Sequence, residues 1–462
     1  MQIKKKNVNK TLTIFLFAHV VIWTLVPAIS NNNLPLDTIE ALAWGSDLSW
    51  GYNKHPPVSA WFVEFFYQIF GNQDWAYYFL SQVFVVFSFF IIFKFSEYFF
   101  KERIHSLFSI FLLEGIYFYN FTTPEFNVNV CQLPFWVLTV YFCFRAIKTD
   151  KMSDWFLLGM FAAFGVLSKY LFFYLIASLI IYFIYTSIKE KKFNFRYLIT
   201  LTVFLIVFSP HLIWLMDNDY APIIYAFHRT GIENFDFIQA HLLNPLVFFG
   251  KQILILIPFF IMLYFIISKI KLKINIKDKK LLFLLIINIA PLILILLTSL
   301  LMGIKIRTMW MTPFYLFLGV FFIYIFQKKI IIKKTKYFLL TFLFLFVFSP
   351  TVYFYISITQ SDKRTDYPGQ KISQAVQQKW ENNFQNKIGL VGGDEWHGGN
   401  LSYHLESRPK WDNILESKKN TSINNIKDGF VLIGNPNILI KICTGVFFKV
   451  ENQGICMIGK RK

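Results

Sequence analysis

The sequence predicts a polytopic α-helical membrane protein of about eleven spans, followed by a small extracytoplasmic α/β domain. Three observations carry that expectation. Runs of roughly 18 or more apolar residues recur through residues 11–357, each long enough to cross about 30 Å of hydrocarbon. Lys and Arg gather in short clusters between those runs. After residue 357 the composition turns to Asn, Lys and Gly with short alternating apolar stretches.

A soluble fold has no way to hide a chain that is 55% apolar and contains 57 Phe. The net charge of +19 would suggest nucleic acid in a soluble protein. Here no basic face free of lipid exists to carry that function, so no nucleic-acid partner is expected. The expected spans are 11–29, 76–96, 106–121, 130–147, 155–168, 171–188, 197–216, 244–268, 281–302, 309–327 and 337–357. Lys4, Lys5, Lys6 and Lys10 precede the first. Ala28-Ile29-Ser30 also resembles a signal-peptidase site, and either reading sends residue 31 outward.

The connections alternate in character. One set holds Lys101 and Arg103; Arg145, Lys148 and Lys151; Lys189 through Arg196; Lys269 through Lys280; and Lys328 through Lys336. The other set is 31–75, 121–129, 168–170, 217–243 and 303–308. Every strongly basic connection falls on the side of the N-terminus, as the positive-inside rule requires. The expected placement is a bacterial inner (plasma) membrane, with a cytoplasmic N-terminus and a periplasmic tail. The expected domains are 1–357 and 358–462, the latter large enough for its own core. Cys131 and Cys143 lie about 18 Å apart along one helix and cannot pair with each other. Cys443 and Cys456 can bridge two strands if the tail lies outside the cytoplasm.

The loop 31–75 is the most informative stretch. Asp37 and Glu40 stand three apart, so a helix places both carboxylates on one face. Alternatively Asp37 caps that helix, with Glu40 as its capping-box partner. Lys54 and His55 precede two prolines, a stiff cationic segment. Ser59 to Phe70 reads as an amphipathic helix in the interface. Trp44, Trp50 and Trp61 read as interface anchors. Further polar residues lie in Thr123-Pro124-Glu125-Phe126-Asn127-Val128-Asn129, in Leu167-Ser168-Lys169-Tyr170, in Ser209-Pro210-His211, and in Ile306-Arg307-Thr308-Met309-Trp310. Lys169 is either a functional cation or a residue snorkelling to the interface. Asp217 and Asp219 read as a helix end, and His211 as a structural residue of the bundle.

These segments together resemble the GT-C fold glycosyltransferases of the family 39 group, which includes protein O-mannosyltransferases and the aminoarabinose transferases that modify lipid A. The resemblance rests on an acidic motif just after the first span, Asp37-Thr38-Ile39-Glu40-Ala41, then on Lys54-His55-Pro56-Pro57 before an interfacial helix. In this chain the two acids are separated, which leaves open which one matches the family's catalytic carboxylate. Many relatives carry an Asp near the position of Asn129, so the second acid is either absent or replaced by Glu125. The resemblance implies transfer of a sugar from a polyprenyl-phosphate donor to a lipid, glycan or protein acceptor, with inversion.

Such a donor already carries a good leaving group. The site must then supply a base for the acceptor hydroxyl and positive charge for the departing phosphate. Asp37, or second Glu40, is the candidate base. Lys54, Lys169, Arg229 and Arg307 are candidates for the phosphate, and His55 for orienting an acid or the donor. Glu125, Asn129 and Tyr52 are supporting candidates. No cofactor is expected, although a divalent cation at Asp37 and Glu40 is compatible with the residues. In the tail, Val391 through Gly399 reads as a strand entering a Gly-rich turn that shapes an acceptor surface or caps the membrane site. Asp394, Glu395 and His397 are not expected to be catalytic. A transporter or flippase of a polyprenyl-linked sugar is the rival reading. It would need charged or broken helices near the midplane, whereas the polar residues here sit in loops and at helix ends.

Overall fold

The structure is a computed structural model describing residues 5–191, 193–230, 236–267, 275–330, 335–413 and 428–462. The helical part runs α1 (Lys5–Ser30), α2 (Leu36–Gly45), α3 (Val58–Phe70), α4 (Asp74–Ser96), α5 (Arg103–Phe111), α6 (Val128–Thr149), α7 (Met152–Ser168) and α8 (Tyr170–Glu190). It continues with α9 (Tyr197–Asp217), α10 (Ala221–Thr230), α11 (Gln239–Ile255), α12 (Ile257–Ile266), α13 (Lys279–Met302), α14 (Thr308–Tyr315), α15 (Leu318–Lys329) and α16 (Thr335–Thr359).

Among the described residues, seven helices are long and apolar enough to span on their own: α1, α4, α6, α8, α9, α13 and α16. Two more expected spans are bent pairs, α11 with α12 at 42° and α14 with α15 at 50°. The expected span 155–168 is present as the continuous helix α7, whose 17 residues make it shorter than the seven above. The remaining expected span departs from its reading. The stretch 106–121 is not one helix: α5 gives way to 3-10 turns at Leu112–Gly115 and Tyr117–Tyr119. Gly115 lies against the backbone of Phe259, whose nitrogen stands 2.7 Å from where a Cβ would project. That close approach breaks the helix where the apolar pattern alone continues it. The chain is a multi-pass membrane protein.

The two sets of connections gather at opposite ends of the bundle. At the basic end Lys280 donates to the Tyr98 carbonyl at 2.6 Å, Lys279 meets Glu190 at 2.6 Å, and Arg196 meets Asp150. At the other end Asn31 donates to the hydroxyls of Tyr78 and Tyr353, and the Lys305 amide donates to the Thr230 carbonyl at 3.3 Å.

The tail forms α17 (Gly369–Asn383), β1 (Ile388–Gly392), α18 (His397–His404), β2 (Lys410–Asp412), β3 (Gly429–Gly434), α19 (Pro436–Ile442), β4 (Val446–Val450) and β5 (Gln453–Ile458). The sheet order is β2-β1-β3-β5-β4, with β2, β1 and β3 parallel and the last two antiparallel. Its core joins Ile372, Val376 and Trp380 of α17 to Val391, Val431 and Ile455 of the strands. The Cys443–Cys456 disulfide is formed, and it ties the end of α19 to β5 rather than one strand to another.

The first loop departs from its expectations in two places. Pro35, not Asp37, occupies the N-cap of α2, and no side chain caps the helix, so Asp37 sits inside the first turn. Trp44 is no interface anchor. It is 3% exposed and stacks on Tyr52 with centroids 5.8 Å apart.

Candidate active site

The acid-bearing helix α2 lies in the connection between α1 and α4, at the end of the bundle opposite the basic clusters, against the tail. Asp37 and Glu40 share a face of it, as their spacing requires. The backbone N–H of Asp37 donates to Glu125 Oε1 at 3.0 Å, and Thr38 Oγ1 donates to the Phe126 carbonyl at 3.1 Å. These bonds join α2 to the loop before α6. There Asn127 caps α6 by accepting from the amides of Asn129 and Val130. Asn129 then accepts from Lys169 Nζ.

Lys169 is 5% exposed in the turn between α7 and α8, with its ammonium 5.2 Å from the Trp310 ring centroid. It does not snorkel. Burial pulls its pKa down to about 7, against the attraction of Asp37. Burial raises Asp37 above the ordinary carboxylate range, although Lys169, Lys54, Arg229 and Arg364 all favour its ionised form. Glu125 is pushed up to about 8, first by burial and then by the charges of Asp37 and Glu40. Burial thus makes the charged form costly for both acids and for the lysine. Asp37 nevertheless keeps some accessible surface.

Beside them, Lys54 Nζ bridges two carboxylates, Glu40 at 3.0 Å and Glu395 of the tail at 3.2 Å. Asn53 also donates to Glu395, at 3.0 Å. Burial opposes the charge on Lys54, yet the two carboxylates together hold its pKa above the usual lysine value. His55 lies edge-on to Trp44 and to Tyr225. Burial, with Lys169, Lys54 and Arg229 nearby, lowers it to about 3, so it stands neutral. Tyr52 supports the turn. Its hydroxyl accepts from the Ser49 amide at 3.2 Å, and its own amide donates to the His55 carbonyl at 3.1 Å. Gly51 brings this loop onto α9, where a Cβ would stand 2.3 Å from the Trp214 ring. His211 is structural, held between the Tyr170 hydroxyl and the Trp50 carbonyl. Asp217 is the last residue of α9.

Arg229 and Arg307 are exposed at the same end. Arg307 is lowered by burial and then by the like charge of Arg229, and it also senses Asp37. Among the described residues no carboxylate forms an ion pair with either. Two like charges that act on one another, both lacking a carboxylate ion pair among the described residues, favour an anion nearby. No group of three or more His, Cys, Asp or Glu placed to hold a metal occurs among the described residues.

The structure therefore brings together Asp37, Glu40, Lys54, His55, Glu125, Asn129, Lys169, Arg229 and Arg307, with Tyr52 behind them. Sequence reasoning missed Asn53, Tyr225 and Arg364, and it named Glu395 in the tail without pairing it with Lys54. Two clefts lie apart from this cluster: an apolar one of about 320 Å³ between α1 and α16, and one of about 520 Å³ in the tail beside α17. Neither is lined by the groups that carry chemistry.

The architecture matches ArnT from Cupriavidus metallidurans bound to undecaprenyl phosphate, with a TM-score of 0.67 over 97% of this chain and 98% of that one at 10% identity. The fold is GT-C. The apo state of the same ArnT matches at 0.63 and 11% identity, over 97% of this chain and 98% of that one. Independently, residues 54–214 match the family model described as dolichyl-phosphate-mannose-protein mannosyltransferase. That match spans about a third of the chain and includes Lys54, His55, Glu125, Asn129 and Lys169, while Asp37 and Glu40 precede it. The GT-C chain is thus related to glycosyltransferases. No curated protein sequence matches it.

Proposed function

We propose that the chain is a membrane glycosyltransferase that moves a sugar from a polyprenyl phosphate to a lipid or glycan acceptor at the outer face of a bacterial inner membrane, a protein acceptor being the less favoured. The observation that carries this reading is the division of charge in one cluster. Asp37, Glu40, Glu125 and Glu395 gather on one side, and Lys169, Arg229 and Arg307 stand nearby without carboxylate ion pairs among the described residues. The match to an ArnT that binds undecaprenyl phosphate supports the donor class.

The reaction is a single inverting displacement. The acceptor oxygen bonds the anomeric carbon as the bond from that carbon to the phosphate oxygen breaks. The bonding pair leaves with the polyprenyl phosphate, and the acceptor proton passes to Asp37. Lys169, Arg229 and Arg307 stabilise charge on the departing phosphate. Lys54, a phosphate candidate from the sequence, has its ammonium occupied by two carboxylates and instead fixes Glu40. Neutral His55 packs beside the donor. Side chains supply the positive charge, and no metal is required.

The test uses purified protein in detergent with a labelled polyprenyl-phosphate sugar and membrane lipids, comparing wild type with Asp37→Asn and Glu40→Gln. Transfer or donor hydrolysis lost in Asp37→Asn supports the reading. Loss only in Glu40→Gln would reassign the base. Activity abolished by EDTA would point to a cation at the two acids. In proteoliposomes, donor crossing the bilayer without cleavage would identify a flippase.

A further inference from the structure

The tail does more than cover the cluster. Arg408, between α18 and β2, reaches out of its own domain. Its Nη2 donates to the Leu42 carbonyl at 2.7 Å and to Glu64 Oε2 at 2.7 Å, while Nη1 donates to Ser402 Oγ at 3.0 Å. The guanidinium lies 4.4 Å from the Tyr67 ring centroid. The ion pair is largely closed to solvent, its side chains 11% and 9% exposed. Leu42 lies in the last turn of α2, two residues beyond Glu40, and Glu64 lies on α3. One rigid fork therefore joins the acid-bearing helix, the interfacial helix and the tail. A cation at that end also complements the helix dipole.

Other contacts press on the same helix away from its acids. Gly399 of α18 packs where a Cβ would stand 3.0 Å from Ala43 and 3.1 Å from Ile39. The Trp411 amide donates to Ser46 Oγ at 2.8 Å. At about 100° per residue, Ile39, Ala43 and Ser46 fall on a different side of α2 from Asp37 and Glu40. The tail thus grips the back of the helix whose front faces the cluster.

We infer that Arg408 is a positioning residue for the transfer reaction, through which the C-terminal domain sets the depth and rotation of the helix bearing Asp37 and Glu40. The inference rests on the glycosyltransferase reading above. It separates the two substrates' determinants. The phosphate cations stand on α10, on the α7–α8 turn and before α14, none of which Arg408 touches, so donor binding is independent of it.

Removing the guanidinium alone leaves Glu64 buried and unpaired, which destabilises the contact by itself. The test therefore pairs Arg408→Met with Glu64→Gln and adds Arg408→Lys. Thermal unfolding and initial rates of transfer are measured across pH. In the folded double variant, kcat falls about 10–100-fold, the cost of misplacing a catalytic group by roughly an ångström. Donor KM stays level. The acidic limb of the rate moves to higher pH, because Asp37 drifts from the cations that favour its ionised form. Arg408→Lys falls between the two, since one ammonium cannot serve both Leu42 and Glu64. A folded double variant with wild-type kcat and pH profile overturns the inference, as does a loss that is uniform at all pH and equals the lost folded fraction. A wild type that transfers nothing sinks the glycosyltransferase reading and this inference with it. An active wild type beside an unaffected variant sinks the inference alone.

Discussion

Replacing Lys169 by Arg isolates the contribution of one charge to donor binding. With a pKa near 7, Lys169 is charged below that pH and loses its charge above it. Each further pH unit cuts the charged fraction tenfold. Since kcat/KM reports the free enzyme, the wild type is expected to lose about one decade per pH unit above 7. By about pH 9 the loss is about two decades, or about 2.7 kcal/mol of transition-state stabilisation. A guanidinium stays charged throughout, so Lys169→Arg holds its kcat/KM through that range. Trp310 lies 5.2 Å from the ammonium and a planar guanidinium stacks on indole, so the variant is expected to keep this contact. At about pH 6, where both side chains are charged, the variant should lose no more than roughly tenfold through misfit. In kcat the wild-type limb lies at higher pH, because bound phosphate raises the pKa of Lys169. Initial rates of labelled-sugar transfer between about pH 5.5 and 9 measure both parameters. A wild-type kcat/KM that stays level from about pH 6 to 9, or an unchanged limb in Lys169→Arg, would refute the role given to this lysine.

Asp37→Asn is expected to lower kcat about 10²–10⁴-fold with donor KM little changed, as for a lost general base, measured by the same transfer assay. Its wild-type acidic limb should lie above the usual carboxylate pKa, since burial raises Asp37 and the base must be ionised. Arg229→Ala and Arg307→Ala should each raise donor KM by about 10–100-fold, the worth of a charged hydrogen bond, and lower kcat less. Cys443→Ser with Cys456→Ser opens a loop with a separation of 13 residues. The tail should lose about 3 kcal/mol, read by denaturant titration of tail fluorescence in the full-length protein.

The apolar runs and the sidedness of the basic clusters made the bundle legible, because lipid leaves the backbone few alternatives. What failed was local. The 3-10 break near Gly115 answers to the backbone of Phe259, which no pattern in residues 106–121 reveals. The capping reading of Asp37 failed because the helix begins one residue after Pro35, which carries Asp37 past the cap and into the first turn. Glu125 and Asn129 were legible as a polar motif at a span end, and both meet their partners there. The turn holding Glu395 was read as shaping an acceptor surface or capping the membrane site, but its partners were not legible, because 342 positions separate Glu395 from Asn53.

The energetic pattern of the cluster gives a reason for its composition. A bundle of this kind gains nothing by burying Lys169 and Glu125, since each is held at a pKa that displaces its charged form. Nor does stability favour Arg229 facing Arg307. On the proposed reading a donor phosphate would lower the costs at Lys169, Arg229 and Arg307 by pairing with these cations, whereas Glu125, already raised by burial and the nearby acids, would stay protonated. The Glu40–Lys54–Glu395 bridge is the opposite case, already matched by its neighbours and gaining little from an anion. Under the proposed function, the strained cations are those a donor phosphate would relieve, and the matched Glu40–Lys54–Glu395 bridge holds the acid-bearing helix in place.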